Sequence, residues 1–244
     1  MKESTNLQII FEDNHLIAVN KPRGVLVQGD ATEDQPLSEY VKNYIKIRYN
    51  KPGEVFLGVI HRLDRPVSGV VVFARTSKAL ARMNELFATR QVKKTYWAVT
   101  AVRPEPEYGH LTHYIIKDTE RNISKALDQP SNRNKDAKRS ELDYEMIGEM
   151  EGKHLLLVHP ETGRPHQIRV QLSKIGCPIV GDLKYGNKET FTHGGIYLHC
   201  RALEFMHPVK QTPVRIEADA PHDQLWNKMA HIGEQYERDK QNGE

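Results

Sequence analysis

The sequence predicts an α+β fold, a mixed, mostly antiparallel sheet with helices packed on it. Three observations predict it. Short β-rich runs joined by hairpin-type turns outnumber strand–helix–strand units. Two runs, VFLGVI (55–60) and VVVFA (70–74), are continuously apolar, the pattern of strands buried on both faces. Four segments read as helices, set by apolar spacing and by start and stop signals.

In chain order, LQIIFEDNHLIAV (7–19) holds two β-rich runs around EDNH, a hairpin. Asn20, Lys21, Pro22, Arg23 and Gly24 break the second strand. PLSEYVKNYIKIRY (36–49) places Leu37, Tyr40, Val41, Tyr44, Ile45 and Ile47 near helical spacing, with Pro36 early and KPG (51–53) as the stop. A second helix spans 76–91: Thr76 or Ser77 caps it, and Leu80, Met83, Leu86 and Phe87 share a face. TYWAVTAV (95–102) is a strand. The polar stretch 117–140, centred on DQPSNRNKDAK, reads as a flexible surface excursion. LDYEMIGEM (142–150) and KHLLLVHP (153–160) pair around Glu151 and Gly152. HQIRVQLSKIG (166–176) suits an amphipathic helix ending at glycine. IYLHCRALEFMHP (196–208) and VRIEADAP (214–221) alternate as strands do, and a terminal helix covers about 222–238. No repeat, low-complexity tract or clean linker interrupts the chain, so a single domain over 1–244 is expected, with its core at about 7–220.

At 244 residues and 38% hydrophobic, the chain can bury a sizeable core, which excludes a disordered protein. No apolar run approaches the ~18 residues of a membrane span, and MKESTNLQII lacks the apolar core of a signal peptide. Cys177 and Cys200 alone supply neither a disulfide framework nor a structural zinc site. A cytoplasmic protein with reduced thiols is expected. The net charge of +3 is unevenly spread. Residues 61–103 carry 9 Lys+Arg against 2 Asp+Glu, and residues 161–188 carry 5 against 2. A polyanion such as nucleic acid is the natural partner of such segments; ordinary solvated charge is the alternative.

Three segments offer chemistry. HRLDRPVSG (61–69) lies between two apolar strands, and Asp64 is flanked there by Arg62 and Arg65. Guanidinium groups hold a carboxylate ionised, ready to act as nucleophile or base on an anionic substrate. Asp64 can equally be a turn former, with Pro66 and Gly69 finishing the bend. In ETGRPHQIRV (161–170), Gly163 allows a tight bend. If the helix starts near Pro165, His166 and Arg169 stand on one face, and with Arg164 and the free helix N–H groups they make an anion site. A capped helix with solvated charges fits the same residues. In KKTYWAV (93–99), Tyr96 follows Lys93 and Lys94, which suits stacking on a splayed base or a half-buried strand tyrosine. There is no GxGxxG, GxxxxGK[ST], GxSxG or HExxH, and His154, His159, His166 and His199 follow no metal spacing.

Taken together, HRLDRPVSG, KKTYWAV and TGRPHQIRVQL followed by GCPIVGDLKYG closely resemble the RluA-type family of RNA pseudouridine synthases. EDNHLIAVNKPRGVLV and YLHCRALEFMHP match the flanking motifs, so the resemblance covers about 7–220. It implies a pseudouridine-synthase-like α+β catalytic domain with a cleft across its centre. It also implies a reaction: a uridine is flipped out, N1–C1′ is cut, the base rotates and C5 rejoins C1′, with no metal and no cofactor. By the same resemblance, Asp64 is the catalytic carboxylate, Tyr96 the stacking tyrosine and Arg169 the arginine paired with that carboxylate. Arg62 helps displace the target base, and Arg65, Lys93, Lys94, Arg164 and His166 meet RNA. Val67 departs from the usual threonine of the first motif, and Gln28 from a frequent histidine. Many relatives carry an N-terminal S4-type RNA-binding domain, whereas only about six residues precede the catalytic motifs here. Ribosomal or transfer RNA is the expected partner, and a monomer acting in the cytoplasm is expected. Two other classes compete. A non-catalytic RNA-binding module would tend to lose the Asp64, Tyr96 and Arg169 set. A metal nuclease or hydrolytic glycosidase needs clustered or paired acids, and residues 61–103 offer only Asp64 and Glu85.

Overall fold

A computed structural model describes residues 7–30, 34–191 and 194–243. Its elements run β1 (Gln8–Glu12), β2 (Leu16–Lys21), α1 (Leu37–Arg48), β3 (Gly58–Val59), β4 (Ser68–Ala74), α2 (Ser77–Ala88), β5 (Lys93–Thr100), β6 (Tyr108–Asp118), β7 (Ile123–Leu127), β8 (Lys138–Met150), β9 (Lys153–Pro160), α3 (Gln167–Lys174), β10 (Leu198–Met206), β11 (Pro213–Glu217) and α4 (Gln224–Asn242). This is the expected α+β class, mixed and mostly antiparallel with four helices. The chain divides into two compact units, Met1–Lys93 with Cys200–Asp219, and Lys94–His199 with Ala220–Glu244.

The first unit orders its strands β1-β2-β4-β10, with β3 added to β4 and β11 to β10. β1 and β2 form the expected hairpin. Asp13 closes it by accepting N–H groups from His15 and Leu16, both at 2.8 Å. All seven residues of β4 are buried, as its unbroken apolar run requires. Leu37, Val41 and Ile45 are the apolar residues that α1 buries. Thr76 caps α2, its side chain accepting from the Ala79 N–H. The expected strand over 55–60 shrinks to two residues. Only Gly58 and Val59 pair with β4, and Phe56 is 49% exposed. Gly58 sits under Leu80 of α2, where a Cβ would come within 2.8 Å of Leu80 Cδ2.

The second unit orders its strands β5-β9-β8-β6-β7. β8 and β9 pair around Glu151 and Gly152, which both have positive φ. α4, capped by Asp223, packs on β8 and β9 and buries Trp226 and Met229. Gly233 lets the helix close on the sheet, since a Cβ there would lie 2.6 Å from Trp97 Cζ2. The stretch 117–140 departs from expectation. It is not an excursion: it contains the end of β6, all of β7, a 3-10 turn at Asn132–Asn134 and the start of β8. Ser124, Ala137 and Ser140 are buried within it. The strands escaped notice because buried Ser124 alternates with exposed Lys125, which reads as loop composition. β6 is equally polar, with His110, Thr112, His113 and Lys117.

Candidate active site

The HRLDR segment forms a loop that enters β4 in the first unit. His61 stacks on Phe87 with ring centroids 5.0 Å apart, and its Nε2 accepts the Val72 N–H at 3.0 Å. The Asp64 carbonyl accepts the Val67 N–H at 3.0 Å, turning the chain. Asp64 itself is half-buried. Val67 is 3% exposed. A methyl in place of the usual hydroxyl therefore leaves no buried polar group to satisfy. Gly69 follows at φ +116, and a Cβ there would come within 2.2 Å of the Cys200 carbonyl oxygen. Only glycine permits this exit from the loop.

The NKPRG segment supports that loop. Gly24 N–H donates to the Arg65 carbonyl at 2.8 Å, and Arg65 Nε donates back to the Gly24 carbonyl at 3.0 Å. Arg65 also pairs with Asp34 at 2.6 Å, both exposed. Lys21 is fully buried and donates to three backbone carbonyls, those of Pro22 (3.0 Å), Val25 (2.8 Å) and Arg65 (3.2 Å). Burial lowers its pKa to about 7; the Asp64 charge opposes that shift and Arg65 adds to it. The folded pKa lies below the unfolded 10.5, so between these values the unfolded chain binds more protons and stability rises with pH. Lys21→Met removes that rise and leaves three carbonyls without their donor. Denaturant titrations at neutral and at alkaline pH are expected to show the variant less stable than wild type, with the gap widening as pH rises.

In the second unit, Tyr96 is half-buried on β5, paired in register with Val158. Lys94 Nζ donates to the Thr162 carbonyl at 3.1 Å, so this lysine braces β5 against the loop before α3. Lys93, in the first unit, is exposed and 3.5 Å from Glu204. Glutamines clamp the GRPHQIR segment. Gln167 Oε1 accepts from Thr162 Oγ1 (2.7 Å) and Arg164 N–H (3.0 Å), and its Nε2 donates to the Glu141 carbonyl (2.9 Å). Gln171 Nε2 donates to the Ser140 carbonyl at 3.2 Å. His166 stands at the helix start with φ 56, in the left-handed region. Arg62 and Arg164 are exposed, and neither guanidinium has a partner among the described residues.

Arg169 is 5% exposed and makes a two-pronged contact with Asp182, Nε to Oδ2 at 2.7 Å and Nη2 to Oδ1 at 2.9 Å. Its guanidinium carbon lies 5.0 Å from the Tyr185 ring centroid, and His166 Nδ1 lies 2.7 Å from the Tyr185 hydroxyl. His166 and Arg169 thus share a face, as the spacing implied, and both meet Tyr185. Sequence reasoning missed Lys21 behind the HRLDR loop, and Asp182 and Tyr185 beside Arg169. GDLKYG and NKPRG were the available signals, but neither marks which of its residues would turn inward. Among the described residues, His110, Asp143 and Glu161 form one group able to hold a metal ion, all exposed. Its core is a 2.8 Å hydrogen bond from His110 to Asp143, which raises the histidine pKa.

The family model described as RNA pseudouridylate synthase matches residues 15–174, from the β1–β2 turn to the end of α3. This chain belongs to the RNA pseudouridylate synthase family. Pseudouridine synthases isomerise uridine in RNA to pseudouridine, so the chain is an RNA-directed isomerase. It is 33% identical to the tRNA pseudouridine synthase C of Vibrio cholerae over 91% of this chain and 94% of that one. It is 31% identical to the ribosomal large subunit pseudouridine synthase D of Zymomonas mobilis, over 93% of this chain and 73% of the relative. Human RNA Pseudouridylate Synthase Domain Containing 4 superposes with a TM-score of 0.74 at 26% identity, covering 92% of each chain. Among the described residues, no helix of this pseudouridine synthase is long and apolar enough to cross a membrane.

Proposed function

We propose that Asp64 carries the isomerisation, that Tyr96 stacks on the flipped base, and that Arg169 is the arginine that serves the catalytic carboxylate. The chain is proposed to act as a single catalytic domain. Supporting this is the HRLDR loop itself, which presents a half-buried carboxylate from a turn tied down on both sides. Asp64 either attacks C1′ or removes the C2′ proton to give a glycal-like intermediate. In the first route the Asp64–C1′ bond breaks as C5–C1′ forms, and in the second the C2′ proton returns from Asp64; in both, N1–C1′ breaks, C5–C1′ forms, the hydrogen leaves C5, and N1 ends protonated. Base flipping costs a few kcal/mol, and stacking on Tyr96 returns about 1–3 kcal/mol. Arg62 helps displace the target base. Arg65, Lys93, Lys94, Arg164 and His166 hold RNA through phosphates and polar edges. Asp182 fixes the orientation of the Arg169 guanidinium through a two-pronged contact along one edge.

We propose transfer RNA as the substrate, because the Vibrio cholerae relative named for it matches nearly end to end. The ribosomal enzymes are matched over a smaller share of their length. The test is tritium release from RNA labelled at uridine C5, with purified protein and either transfer RNA or large-subunit ribosomal RNA fragments. Release from transfer RNA supports the proposal, release from the ribosomal fragment alone moves the substrate, and release from neither overturns it.

The reaction is proposed to proceed in a cytoplasmic monomer without metal or cofactor, since isomerisation needs no activated water. Dialysis against EDTA followed by assay in monovalent salt is expected to leave the single-turnover rate unchanged on pre-folded RNA. Loss restored only by one divalent ion would point to the His110, Asp143 and Glu161 group or another site.

A further inference from the structure

Tyr185 ends the 3-10 turn Leu183–Tyr185 and is 8% exposed. Its hydroxyl accepts the Ser124 N–H of β7 at 2.8 Å. The same hydroxyl is hydrogen-bonded to His166 Nδ1 at 2.7 Å. The Tyr185 ring meanwhile supports the Arg169 guanidinium. Two further bonds fasten the β6–β7 hairpin to this region. Ser124 Oγ donates to the Pro165 carbonyl at 2.8 Å, and Lys184 Nζ donates to the Asn122 carbonyl at the hairpin tip at 3.0 Å. Ile115 and Ala126 of the hairpin pack with Val170 and Tyr185. The same hairpin exposes Lys117, Arg121 and Lys125. None of these three cations has a side-chain partner among the described residues, whereas Arg75, Arg103, Arg139 and Arg215 are ion-paired.

We propose that Tyr185 is a positioning residue that keys His166 and Arg169 to the β6–β7 hairpin, and that RNA lying along Lys117, Arg121 and Lys125 fixes how both side chains are presented. Sequence outside the target uridine would then affect the rate as well as the affinity. The proposal rests on the role given above to Arg169.

The test compares wild type, Tyr185→Phe, the triple Lys117→Gln/Arg121→Gln/Lys125→Gln and the combination, in single turnover at saturating transfer RNA, with affinity measured separately. Tyr185→Phe keeps the ring under Arg169 and removes one hydroxyl. A lost hydrogen bond of about 1–1.5 kcal/mol corresponds to about a tenfold slower reaction, with affinity unchanged. The triple variant is expected to lose affinity and also to slow the saturated rate. In the combination the rate should be no slower than in Tyr185→Phe alone, because the connection is already cut. A wild-type rate for Tyr185→Phe, or rate losses that multiply in the combination, would overturn the proposal. Ser124→Ala keeps the phenol and cuts the Pro165 bond. It should slow the rate without changing affinity, and carries the test if melting shows Tyr185→Phe unfolded; a wild-type rate for it then overturns the proposal. Failure of the active-site reading looks different: an inactive wild type, or an active Asp64→Asn.

Discussion

Asp64→Asn is expected to bind RNA as wild type does and to make no pseudouridine. The amide keeps the side-chain shape, so the loop held by Val67, Gly24 and Lys21 stays in place. What is lost is the negative charge, and with it any attack on C1′ or removal of the C2′ proton. A positioned acid–base group supplies about 10²–10⁴-fold, so the single-turnover rate should fall by at least that range. Affinity should hold or tighten slightly, since one charge that repels phosphate is gone. Asp64 also opposes the fall in the Lys21 pKa, so the variant should hold the Lys21 proton less firmly. Rapid-quench measurement with pre-bound RNA, beside filter binding, checks both halves. A comparable rate in the variant would mean that another group performs the chemistry.

Arg169→Lys is expected to lose most of the rate and some stability, and lysine should not rescue it. An ammonium cannot make the two parallel bonds to Asp182 that the guanidinium makes. Asp182 is 1% exposed, and breaking a buried pair by removing a partner costs about 3–5 kcal/mol; lysine recovers part of that through its single charge. Asp182→Asn should reproduce the rate loss, because it frees the same guanidinium edge. Arg164→Lys should differ, weakening RNA binding with a smaller loss of rate, since Arg164 is exposed and its guanidinium is unpartnered. Rate and affinity measured for the three variants separate these roles. If Arg164→Lys proves the more damaging to chemistry, the wrong arginine of GRPHQIR has been assigned to the carboxylate.

Local signals explain which elements were legible in the sequence. EDNH and Glu151–Gly152 are compact turn codes, and both hairpins formed where they stand. Thr76 capped α2, and Gly176, at positive φ, follows α3. The β6–β7 hairpin was illegible because two of its buried positions, His113 and Ser124, are polar, with only Ile115 buried and apolar beside them. Ser124 is buried yet satisfied by Pro165 and Tyr185, partners some 40 and 60 residues away that no local window contains. The site divides in the same way. Asp64, Tyr96 and Arg169 stand out in short motifs whose composition is unusual for loops and strands. Their supports do not: Asp182 meets Arg169 from thirteen residues further along the chain, beyond the end of α3, and Lys21 looks like a surface lysine until its three carbonyl partners are seen.

In the cell, this pseudouridine synthase is expected to convert specific uridines of one RNA class to pseudouridine. The most direct measurement is carbodiimide modification followed by primer extension across all transfer and ribosomal RNAs from cells with and without the gene. Reverse-transcription stops at one or a few uridines, in transfer RNA, are expected to vanish without the gene. They should return with the wild-type gene and stay absent with Asp64→Asn. An unchanged set of stops across both RNA classes, or stops restored by Asp64→Asn, would contradict it.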